Sequence, residues 1–394
     1  MPRCIGFGAQ WLVSAATRPT YADEMPPSVT SRLPSDSVAT QAAPSRSVRW
    51  AVQEGRAGMP VLISGGAPLV VLPAETAAEA GLAEFAATSA GAPILILAPS
   101  RAAAVLHQPI GPGAVAALAV PPGQLTPGAL LALADPTRRQ APPGATAESP
   151  PKLAEAALLL AKLGRLLPAM LVAPATPAAS RLLSVQADEL LAYPHAVDAS
   201  LARVAEAAVP LAEAEDARLV AFRPEDGSIE HVAILIGRPE DADAPLVRIH
   251  SECFTGDLLG SLRCDCGPQL HQAMRRMAAE GAGVLLYMAQ EGRGIGLVNK
   301  LRAYWLQDDG LDTLDANRAL GWGADERSFA PAATMLKALG ITRIRLLTNN
   351  PDKLASLAAC GIEVVGRVSH AIAANGVNDV YLETKARRFG HLLG

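Results

Sequence analysis

Proline is distributed so unevenly along this chain that it divides the sequence into two regions. Of 32 prolines, 29 lie before residue 250, and only Pro268, Pro331 and Pro351 follow it. Asparagine shows the reverse, because all six asparagines lie between residues 299 and 378. Proline fixes φ and removes a backbone donor, so the first region is under different local constraints from the second. This contrast predicts two domains.

Size and composition limit the class of protein. The chain has 394 residues, 50% of them apolar and 18% charged, which is enough apolar material for large cores and excludes wholesale disorder. Its formal net charge of −4 argues against a general nucleic-acid binder, so no nucleic-acid partner is expected. Five cysteines are too few for a disulfide scaffold and favour a reducing compartment, so we expect a cytoplasmic protein.

The first half of the chain indicates an α/β domain behind a leader. Residues 1–45 are rich in Pro, Ser, Thr and Ala without periodicity, which predicts a disordered leader. Strands are predicted at Pro60–Ser64, Pro68–Leu72 and Pro93–Leu97, where short apolar runs are bounded by glycine and proline. From Val48 to about Ala175 the sequence has no cysteine and no clustered carboxylates for catalysis.

One long apolar segment of this region could belong either to the protein core or to a membrane span. It runs from Leu153 to Val172 and contains Lys162 and Arg165, so it is interpreted as a core helix rather than a membrane span, and no membrane partner is expected. A helix is predicted over Leu153–Leu167, and Pro168 is expected to end it.

The strongest local motif is a cluster of three cysteines, Cys253, Cys264 and Cys266, within 14 residues. Three thiolates suit zinc, and a fourth position left to water is typical of catalytic zinc, which makes bound water a hydroxide source near neutral pH. Two alternatives remain open at this point. A fourth ligand such as His250 would close the site, or the cysteines would be buried thiols without metal.

A glycine-rich segment, Gln290–Gly296, follows a predicted buried strand at Val284–Tyr287 and precedes a predicted helix at Leu297–Gln307. A turn of this kind exposes N–H groups next to a helix N-terminus, and both favour phosphate. The alternative is a tight structural turn. Arg293 within the segment favours the anion site, because guanidinium pairs well with phosphate.

A second helix start carries a cation. Asn350 is expected to cap a helix that begins with Pro351 and ends at Gly361, which places Lys353 near the positive end of the helix dipole. A cation there is favourable if an anion binds beside it, so the two helix starts are expected to face one polyphosphate.

Two further segments supply polar candidates. Thr313 is expected to cap the helix that contains Asn317. Asp325-Glu-Arg327 lies in a loop before a predicted helix at Phe329–Leu339, where solvated charges are the alternative interpretation. Together with the thiols, these groups indicate zinc-assisted hydrolysis of a nucleotide.

Five motifs in order resemble GTP cyclohydrolase II of riboflavin synthesis: Arg248–Cys253, Ser261–Gly267, Gln290–Leu297, Asp312–Asn317 and Leu346–Pro351. The resemblance spans roughly residues 230–393 and includes the closing motifs Tyr381–Lys385 and Gly390–Leu392. It implies conversion of GTP to 2,5-diamino-6-(5-phosphoribosylamino)pyrimidin-4(3H)-one, formate and diphosphate, the first committed step of riboflavin biosynthesis.

The resemblance also assigns roles to residues. Cys253, Cys264 and Cys266 would bind one Zn²⁺ per subunit, whose water attacks C8 of the purine, and Mg²⁺ would accompany the GTP triphosphate. Arg327 matches a nucleophile on the α-phosphorus and Asp325 a proton acceptor; since guanidinium stays protonated, stabilisation of charge is the alternative for Arg327. The GTP-contacting positions are Arg248, Ile249, His250, Ser251, Glu252, Gln269, Glu291, Gly292, Arg293, Thr313, Thr348 and Lys353.

The resemblance implies a homodimer and a three-layer α/β/α domain with a mixed sheet over residues 206–394, and alternating strands and helices agree with the α/β class.

The sequence departs from the family in two places. Met288-Ala289 stands where many members carry a basic residue, and Val368-Ser369 where the family has Val-Pro.

Residues 46–205 resemble 3,4-dihydroxy-2-butanone 4-phosphate synthase in two segments, Ala51–Leu62 and Ala154–Val172. The acidic, magnesium-binding loop of that family should follow Leu62, but Ile63-Ser-Gly-Gly-Ala67 has no carboxylate, and Ala173-Pro174 replaces a later glutamate. Magnesium needs oxygen ligands, so this domain is expected to lack catalytic activity and to serve in dimerisation or in support of the second domain.

Two other functions remain in view. A related cyclohydrolase that performs part of the reaction or takes another purine nucleotide would keep the cysteines and change the base contacts. A non-enzymatic GTP-binding module would have little use for the three thiols together with Asp325 and Arg327.

Overall fold

The computed structural model describes residues 46–111, 113–138, 143–372, 375–379 and 388. These residues belong to one compact unit. The predicted leader at 1–45 and the closing motifs at 381–385 and 390–392 lie outside the described residues. Among the described residues, no helix combines the length and apolar character needed to cross a bilayer.

The N-terminal domain is built on a seven-stranded mixed sheet. Its helices are α1 (Arg46–Arg56), α2 (Glu79–Thr88), α3 (Pro99–Leu106), α4 (Pro127–Ala134), α5 (Ala154–Leu163) and α6 (Ala187–Ala199). Its strands are β1 (Val61–Ser64), β2 (Leu69–Pro73), β3 (Ile94–Leu97), β4 (Ala116–Ala119), β5 (Thr146–Glu148), β6 (Ala169–Pro174) and β7 (Ser184–Gln186), in the order β5-β4-β3-β6-β2-β1-β7. The β1–β7 pair is parallel and the other pairs are antiparallel.

The C-terminal domain has a second seven-stranded sheet. Its strands are β8 (Ala202–Ala208), β9 (Arg218–Arg223), β10 (His231–Gly237), β11 (Leu246–Ser251), β12 (Ala282–Met288), β13 (Arg343–Leu347) and β14 (Glu363–Val368), in the order β14-β13-β11-β12-β10-β9-β8. Its helices are α7 (Cys266–Glu280), α8 (Leu297–Asp308), α9 (Thr313–Ala319), α10 (Ala330–Ala338) and α11 (Pro351–Ala359).

Successive side chains of the central strand β12 point to opposite faces of the sheet, and this alternation accounts for the three layers of the domain. Val284 and Leu286 join a core that contains Met335 and Leu336 of α10, whereas Leu285 faces a core formed with α7. The strands from β14 to β12 are parallel and those from β12 to β8 are antiparallel. The predicted α/β class with a mixed sheet between helices is confirmed.

The second sheet begins at Ala202, four residues before the predicted start of the second domain at residue 206. The segment Ala202–Ala208 is rich in alanine and has no strand pattern of its own, but it pairs with β9 along its length. Its strand conformation therefore comes from the neighbouring strand and not from a local signal.

Helix α5 ends earlier than predicted. The helix stops at Leu163, and Arg165 adopts the left-handed conformation with φ +54°. Gly164 still has right-handed helical angles, with φ −72°, so the chain leaves the helix at Arg165, three residues before Pro168. This early end directs Arg165 towards the C-terminal domain.

Candidate active site and metal centre

The three predicted cysteines converge in one place. Cys253 follows the end of β11, and Cys266 opens α7, with Cys264 in the loop before it. Their sulfur atoms all lie within 4.8 Å of one another, and the Sγ atoms of Cys253 and Cys264 are 3.7 Å apart. These distances suit ligands arranged around a single ion.

The local backbone is shaped to hold the sulfur atoms together. A single π-helical turn, Phe254–Leu258, places Gly256 against the cluster. A Cβ on Gly256 would lie 2.8 Å from Cys264 Sγ and 3.0 Å from Cys253 Sγ, so any larger residue would displace the thiols. The glycine therefore keeps open the space that a metal and its ligands require.

The chemistry of the donor set also fits a cation. Hydrogen bonds from the other two thiols lower the pKa of Cys253 far below its ordinary value. Those same bonds raise the pKa of Cys264 to about 11 and that of Cys266 well above its usual range. Without a cation, one thiolate is favoured at the expense of the other two, whereas zinc would stabilise all three.

His250 does not complete the cluster. Its Nε2 lies 3.1 Å from both carboxylate oxygens of Asp257, and burial lowers the pKa of the imidazole, which favours the neutral form. Asp257 also accepts hydrogen bonds from the Cys253 backbone N–H at 3.0 Å and from the Tyr287 hydroxyl at 2.9 Å. Among the described residues the cluster has three protein ligands, as expected for an open site.

A buried lysine joins the metal cluster to the glycine-rich turn, Gln290–Gly296. Lys300 Nζ donates to Cys253 Sγ at 3.1 Å and to Glu291 Oε1 at 2.8 Å. Burial alone would lower the pKa of Lys300, but the Glu291 carboxylate and the Cys253 sulfur outweigh it, so the ammonium is maintained. Glu291 Oε2 accepts from the Phe254 backbone N–H at 2.6 Å, which ties the turn to the cysteine loop.

The glycine-rich turn has an unusual run of left-handed residues. Gly292, Arg293 and Gly294 have φ values of +64°, +62° and +96°. Within the turn, the N–H groups of Gly292, Gly294 and Gly296 donate to Glu291 Oε1, the Gln290 carbonyl and the Glu291 carbonyl, so these amides are already engaged. The Arg293 side chain and the N-terminus of α8, which begins directly afterwards at Leu297, are what this segment offers an anion.

Cations from other strands and helices face the same cleft. Arg248 donates to the Leu347 carbonyl at 3.0 Å and to Gln269, and burial lowers the pKa of its guanidinium to about 10. Lys353 Nζ donates to the Ile249 carbonyl at 2.8 Å, close to the start of α11. Asn350 caps this helix as predicted.

The Asp325–Arg327 pair lies at the edge of the cleft. Arg327 Nε donates to Asp325 Oδ1 at 2.8 Å, a second guanidinium nitrogen donates to Oδ2, and Nη1 lies 3.3 Å from Ser251 Oγ. Burial alone would raise the pKa of Asp325, but its bonds with Arg327 outweigh it, so the pKa lies below its ordinary value. The structure therefore holds an ionised carboxylate against a protonated guanidinium.

The cleft brings most of the predicted residues together. Its lining includes Arg248, His250, Ser251, Glu252, Cys253, Cys264, Cys266, Gln269, Glu291, Gly292, Arg293, Thr313, Arg327, Thr348 and Lys353. Ile249 is different, because its side chain is fully buried in the core and only its carbonyl faces Lys353. Thr313 is not the cap of α9, since the Asp312 side chain accepts from the Asp315 N–H; Thr313 is the first helical residue.

Two buried nitrogen atoms at this cleft, Arg248 Nε and His250 Nδ1, have no hydrogen-bond partner within the described part of the chain. Buried polar atoms of this kind are normally satisfied, so a bound molecule is expected to supply the partner.

Sequence reasoning missed three residues of this region: Asp257, Lys300 and Tyr304. Tyr304 lines the cleft on the same helix as Lys300, and its hydroxyl lies 3.3 Å from Thr255 Oγ1. The i, i+4 spacing of Lys300 and Tyr304 on one face of a helix that follows the glycine-rich turn was the available signal. No local pattern marked Asp257.

Comparisons with known proteins match the C-terminal domain to one family. Residues 202–369 match the family described as GTP cyclohydrolase II. A GTP cyclohydrolase-2 of Azospirillum brasilense is 57% identical over 257 residues, which cover 63% of this chain and 67% of that protein. A GTP cyclohydrolase-2 of Pasteurella multocida (strain Pm70) is 51% identical over 196 residues, or 50% of this chain and 89% of that protein.

The alignment with the Azospirillum protein is longer than the segment from Ala202 to Gly394, so it extends into the N-terminal domain. Among solved structures, a two-domain 3,4-dihydroxy-2-butanone 4-phosphate synthase from A. baumannii aligns with 82% of this chain and 99% of its own, at 16% identity and a TM-score of 0.31. With so low a TM-score, the N-terminal domain is interpreted from its own residues.

Proposed function

Because this chain belongs to the GTP cyclohydrolase II family, we propose that it hydrolyses GTP to 2,5-diamino-6-(5-phosphoribosylamino)pyrimidin-4(3H)-one, formate and diphosphate. This reaction is the first committed step of riboflavin biosynthesis. The observation that carries the proposal is the cluster of three thiols at one end of a cleft whose other walls present arginine and lysine. A purine next to a metal and a triphosphate among cations is the substrate that this distribution of charge favours.

We assign Zn²⁺, one per subunit, to Cys253, Cys264 and Cys266. Zinc, when bound, supplies Lewis-acid activation of water for opening the imidazole ring of the purine. The chain's own groups prepare the site: Gly256 leaves space between the sulfur atoms, and Lys300 donates to one of them. Asp257 fixes the backbone of Cys253 and the ring of His250.

The phosphate end of GTP is assigned to the glycine-rich turn and to Arg248, Arg293 and Lys353. Their positive charges and the N-terminus of α8 favour a triphosphate, and Mg²⁺ on its oxygens is part of the proposal. The remaining predicted contacts, apart from Ile249, line the same cleft. Several of them are already engaged within the protein, since Gln269 pairs with Arg248, Glu291 with Lys300 and His250 with Asp257.

Arg327 is assigned the role of stabilising negative charge on the α-phosphorus, with Asp325 holding it in place. A guanidinium that makes two hydrogen bonds with a carboxylate keeps its proton and has no free lone pair for attack. The low pKa of Asp325 agrees with an orienting role, since an ionised carboxylate paired in this way is a weak base.

The proposal includes a homodimer in the cytoplasm and an N-terminal domain without catalysis. Free thiols at the site require a reducing compartment, which supports the location. The first strand ends at Ser64, where the related enzyme would need an acidic loop for magnesium, and no carboxylate follows in the sequence before Glu75.

The experiment is to measure formate, diphosphate and the pyrimidine product from GTP with zinc-loaded protein, in the wild type, in Cys264→Ser and in Cys360→Ser. Cys360 is a free cysteine outside the cluster and serves as the matched control. We expect Cys264→Ser to lose zinc and turnover and Cys360→Ser to retain both. Full turnover by Cys264→Ser would reject the assignment of the metal site.

A related cyclohydrolase with a partial reaction or another purine nucleotide is the second candidate. The same assay distinguishes it from the first candidate. Release of diphosphate without formate would indicate that the phosphate site is intact and that the ring is not opened. Ribulose 5-phosphate in a parallel sample tests the N-terminal domain, from which no product is expected.

A further inference from the structure

We propose that Arg165, which lies in the N-terminal domain, is a positioning residue for the glycine-rich turn of the C-terminal site and makes GTP binding depend on the noncatalytic domain. This inference rests on the proposed function. The surface that carries it is the contact between the end of α5 and the segment that leads from β12 into α8.

The backbone of Arg165 is the first observation. It adopts φ +54° at the position after a helix end, where glycine is strongly favoured because other residues pay a steric cost. Arg56 Nη1 holds this turn by donating to the Gly164 carbonyl at 2.7 Å. An arginine maintained in a strained conformation by its surroundings points to a use for its side chain.

The side chain of Arg165 reaches the residue directly before the glycine-rich turn. Its Nη2 donates to the Ala289 carbonyl at 2.8 Å, while the Arg165 carbonyl accepts from Asn299 Nδ2 of α8 at 3.0 Å. Arg165 thus bonds to the chain on both sides of the turn.

The last glycine of the turn packs against the same side chain. A Cβ on Gly296, which has φ +85°, would lie 3.1 Å from Arg165 Cδ. The methylene groups of Arg165 therefore form one wall of the turn, and its charge lies near the carboxylates of Glu252 and Glu291. These contacts fix the path of the segment that precedes α8.

A second contact between the domains fixes α8 itself. Arg302 donates to Glu75 Oε1 at 2.8 Å and pairs with Asp135 at 3.1 Å, and both acids belong to the N-terminal domain. Lys300 and Tyr304 lie on the part of the same helix that lines the cleft. The N-terminal domain therefore holds the helix whose other face contributes to the site.

The test compares full-length, zinc-loaded wild type with Arg165→Met, Arg165→Lys and Arg181→Met. Methionine keeps the packing of methylene groups against Gly296 but removes the charge and the donor to the Ala289 carbonyl. It therefore distinguishes a role in positioning the turn from a role in filling space. Arg181 is a matched control, since it belongs to the N-terminal domain and pairs with Glu84 at the surface. The measurements are kcat and KM for GTP, zinc content, the midpoint of thermal unfolding and hydrogen exchange of residues 289–297.

We expect Arg165→Met to raise KM for GTP on the order of 10-fold to 100-fold, since small misplacements of binding groups are costly. Exchange of residues 289–297 should become faster, with zinc content unchanged. Arg165→Lys should recover part of the affinity, and Arg181→Met should match the wild type. Wild-type kinetics and exchange in Arg165→Met would overturn the inference, as would equal effects in Arg181→Met.

Failure of the proposed function has a different signature. If the wild type does not turn over GTP, the proposed function fails, while faster exchange at residues 289–297 in Arg165→Met still supports the positioning role. If Arg165→Met does not fold, the same two readouts on Arg165→Leu, which also lacks the donor and the charge, decide, and wild-type values there would overturn the inference.

Discussion

At the scale of single residues, the arrangement of Asp325 and Arg327 discriminates between two chemistries. The carboxylate makes hydrogen bonds with two guanidinium nitrogens and with the Arg327 backbone N–H at 3.1 Å, so the guanidinium is held flat and charged beside the cleft. A charged, oriented guanidinium is suited to stabilise negative charge that develops on a phosphorus centre. It is poorly suited to form a bond to that centre, because its lone pairs are delocalised.

We therefore predict that Arg327→Ala lowers kcat on the order of 100-fold to 1000-fold, as for the loss of one group that stabilises transition-state charge. Arg327→Lys should retain more activity, because it keeps the charge. Steady-state kinetics of both variants, with exposed Arg318→Ala as control, provide the measurement. Detection by mass spectrometry of a nucleotidyl adduct on Arg327, linked through the α-phosphorus after loss of diphosphate, in rapidly quenched wild type would contradict this role.

His231 is a buried histidine that contacts the residue before the glycine-rich turn, and it makes the stability of the protein depend on pH. His231 Nδ1 accepts from the Ala289 backbone N–H at 3.1 Å. Burial, with a smaller contribution from Arg165, lowers the pKa of His231 from 6.5 to about 4. Between these values the unfolded chain binds a proton that the folded chain does not, so the free energy of unfolding decreases as the pH falls through this interval.

The expected loss of stability from His231 is about 3 kcal/mol between pH 7 and pH 4, which corresponds to the shift in its pKa. His231→Asn keeps an acceptor near the position of Nδ1 but does not titrate in this range, so its stability should decrease less over the same interval. Denaturant unfolding of both proteins across this pH range measures the difference. Parallel curves for the two proteins would exclude His231 as the source.

At the scale of elements, the loop Cys253–Cys266 shows how a local backbone shape sets up chemistry. Its π-helical turn brings Gly256 within contact of all three cysteines, so the requirement for glycine is steric and not conformational. A methyl group there would also meet Cys266 Cβ at 2.9 Å. The thiols would separate, and a metal bound by all three would lose at least one ligand.

We predict that Gly256→Ala folds but binds less than one zinc per chain and loses GTP turnover to the same extent. Gly128→Ala is the control, because a Cβ on Gly128 has no neighbour within 4 Å. Zinc content after gel filtration and GTP turnover are the two measurements. A Gly256→Ala protein with full zinc content and activity would show that the loop adapts and that the close approach is not required.

The elements also show what the sequence could predict. Strand β12 and helices α8, α10 and α11 lie within two residues of their predicted bounds, because glycine turns, a capping asparagine and Pro351 are local signals. The cysteine cluster was predicted from its spacing, and most of the cleft from the resemblance to GTP cyclohydrolase II. The structure places several of these residues directly after the parallel strands β11, β12 and β13, whose carboxyl ends lie at one edge of the sheet. Strand β8, the end of α5 and the role of Asp257 depend on contacts between distant segments, for which no local pattern exists.

At the scale of the whole molecule, the two domains share one hydrophobic core. Leu306 and Leu320 of the C-terminal domain pack in the same cluster as Leu72, Leu97 and other residues from the sheet of the N-terminal domain. Polar contacts surround this core, among them the Lys162–Glu326 ion pair at 2.6 Å. Two sheets joined in this way are expected to unfold together, since exposing one face of the core removes the partner of the other.

We therefore predict that Leu306→Ala lowers the free energy of unfolding of both domains by about 3 kcal/mol, as is usual for removing a buried leucine side chain. Leu301→Ala on the same helix is the control, because Leu301 is 51% exposed. Native-state hydrogen exchange reports each domain separately through the slowest amides of β6 and β12. A shift confined to β12 would mean that the N-terminal domain unfolds independently, and the dependence of the GTP site on that domain would then be limited to the contacts of Arg165 and Arg302.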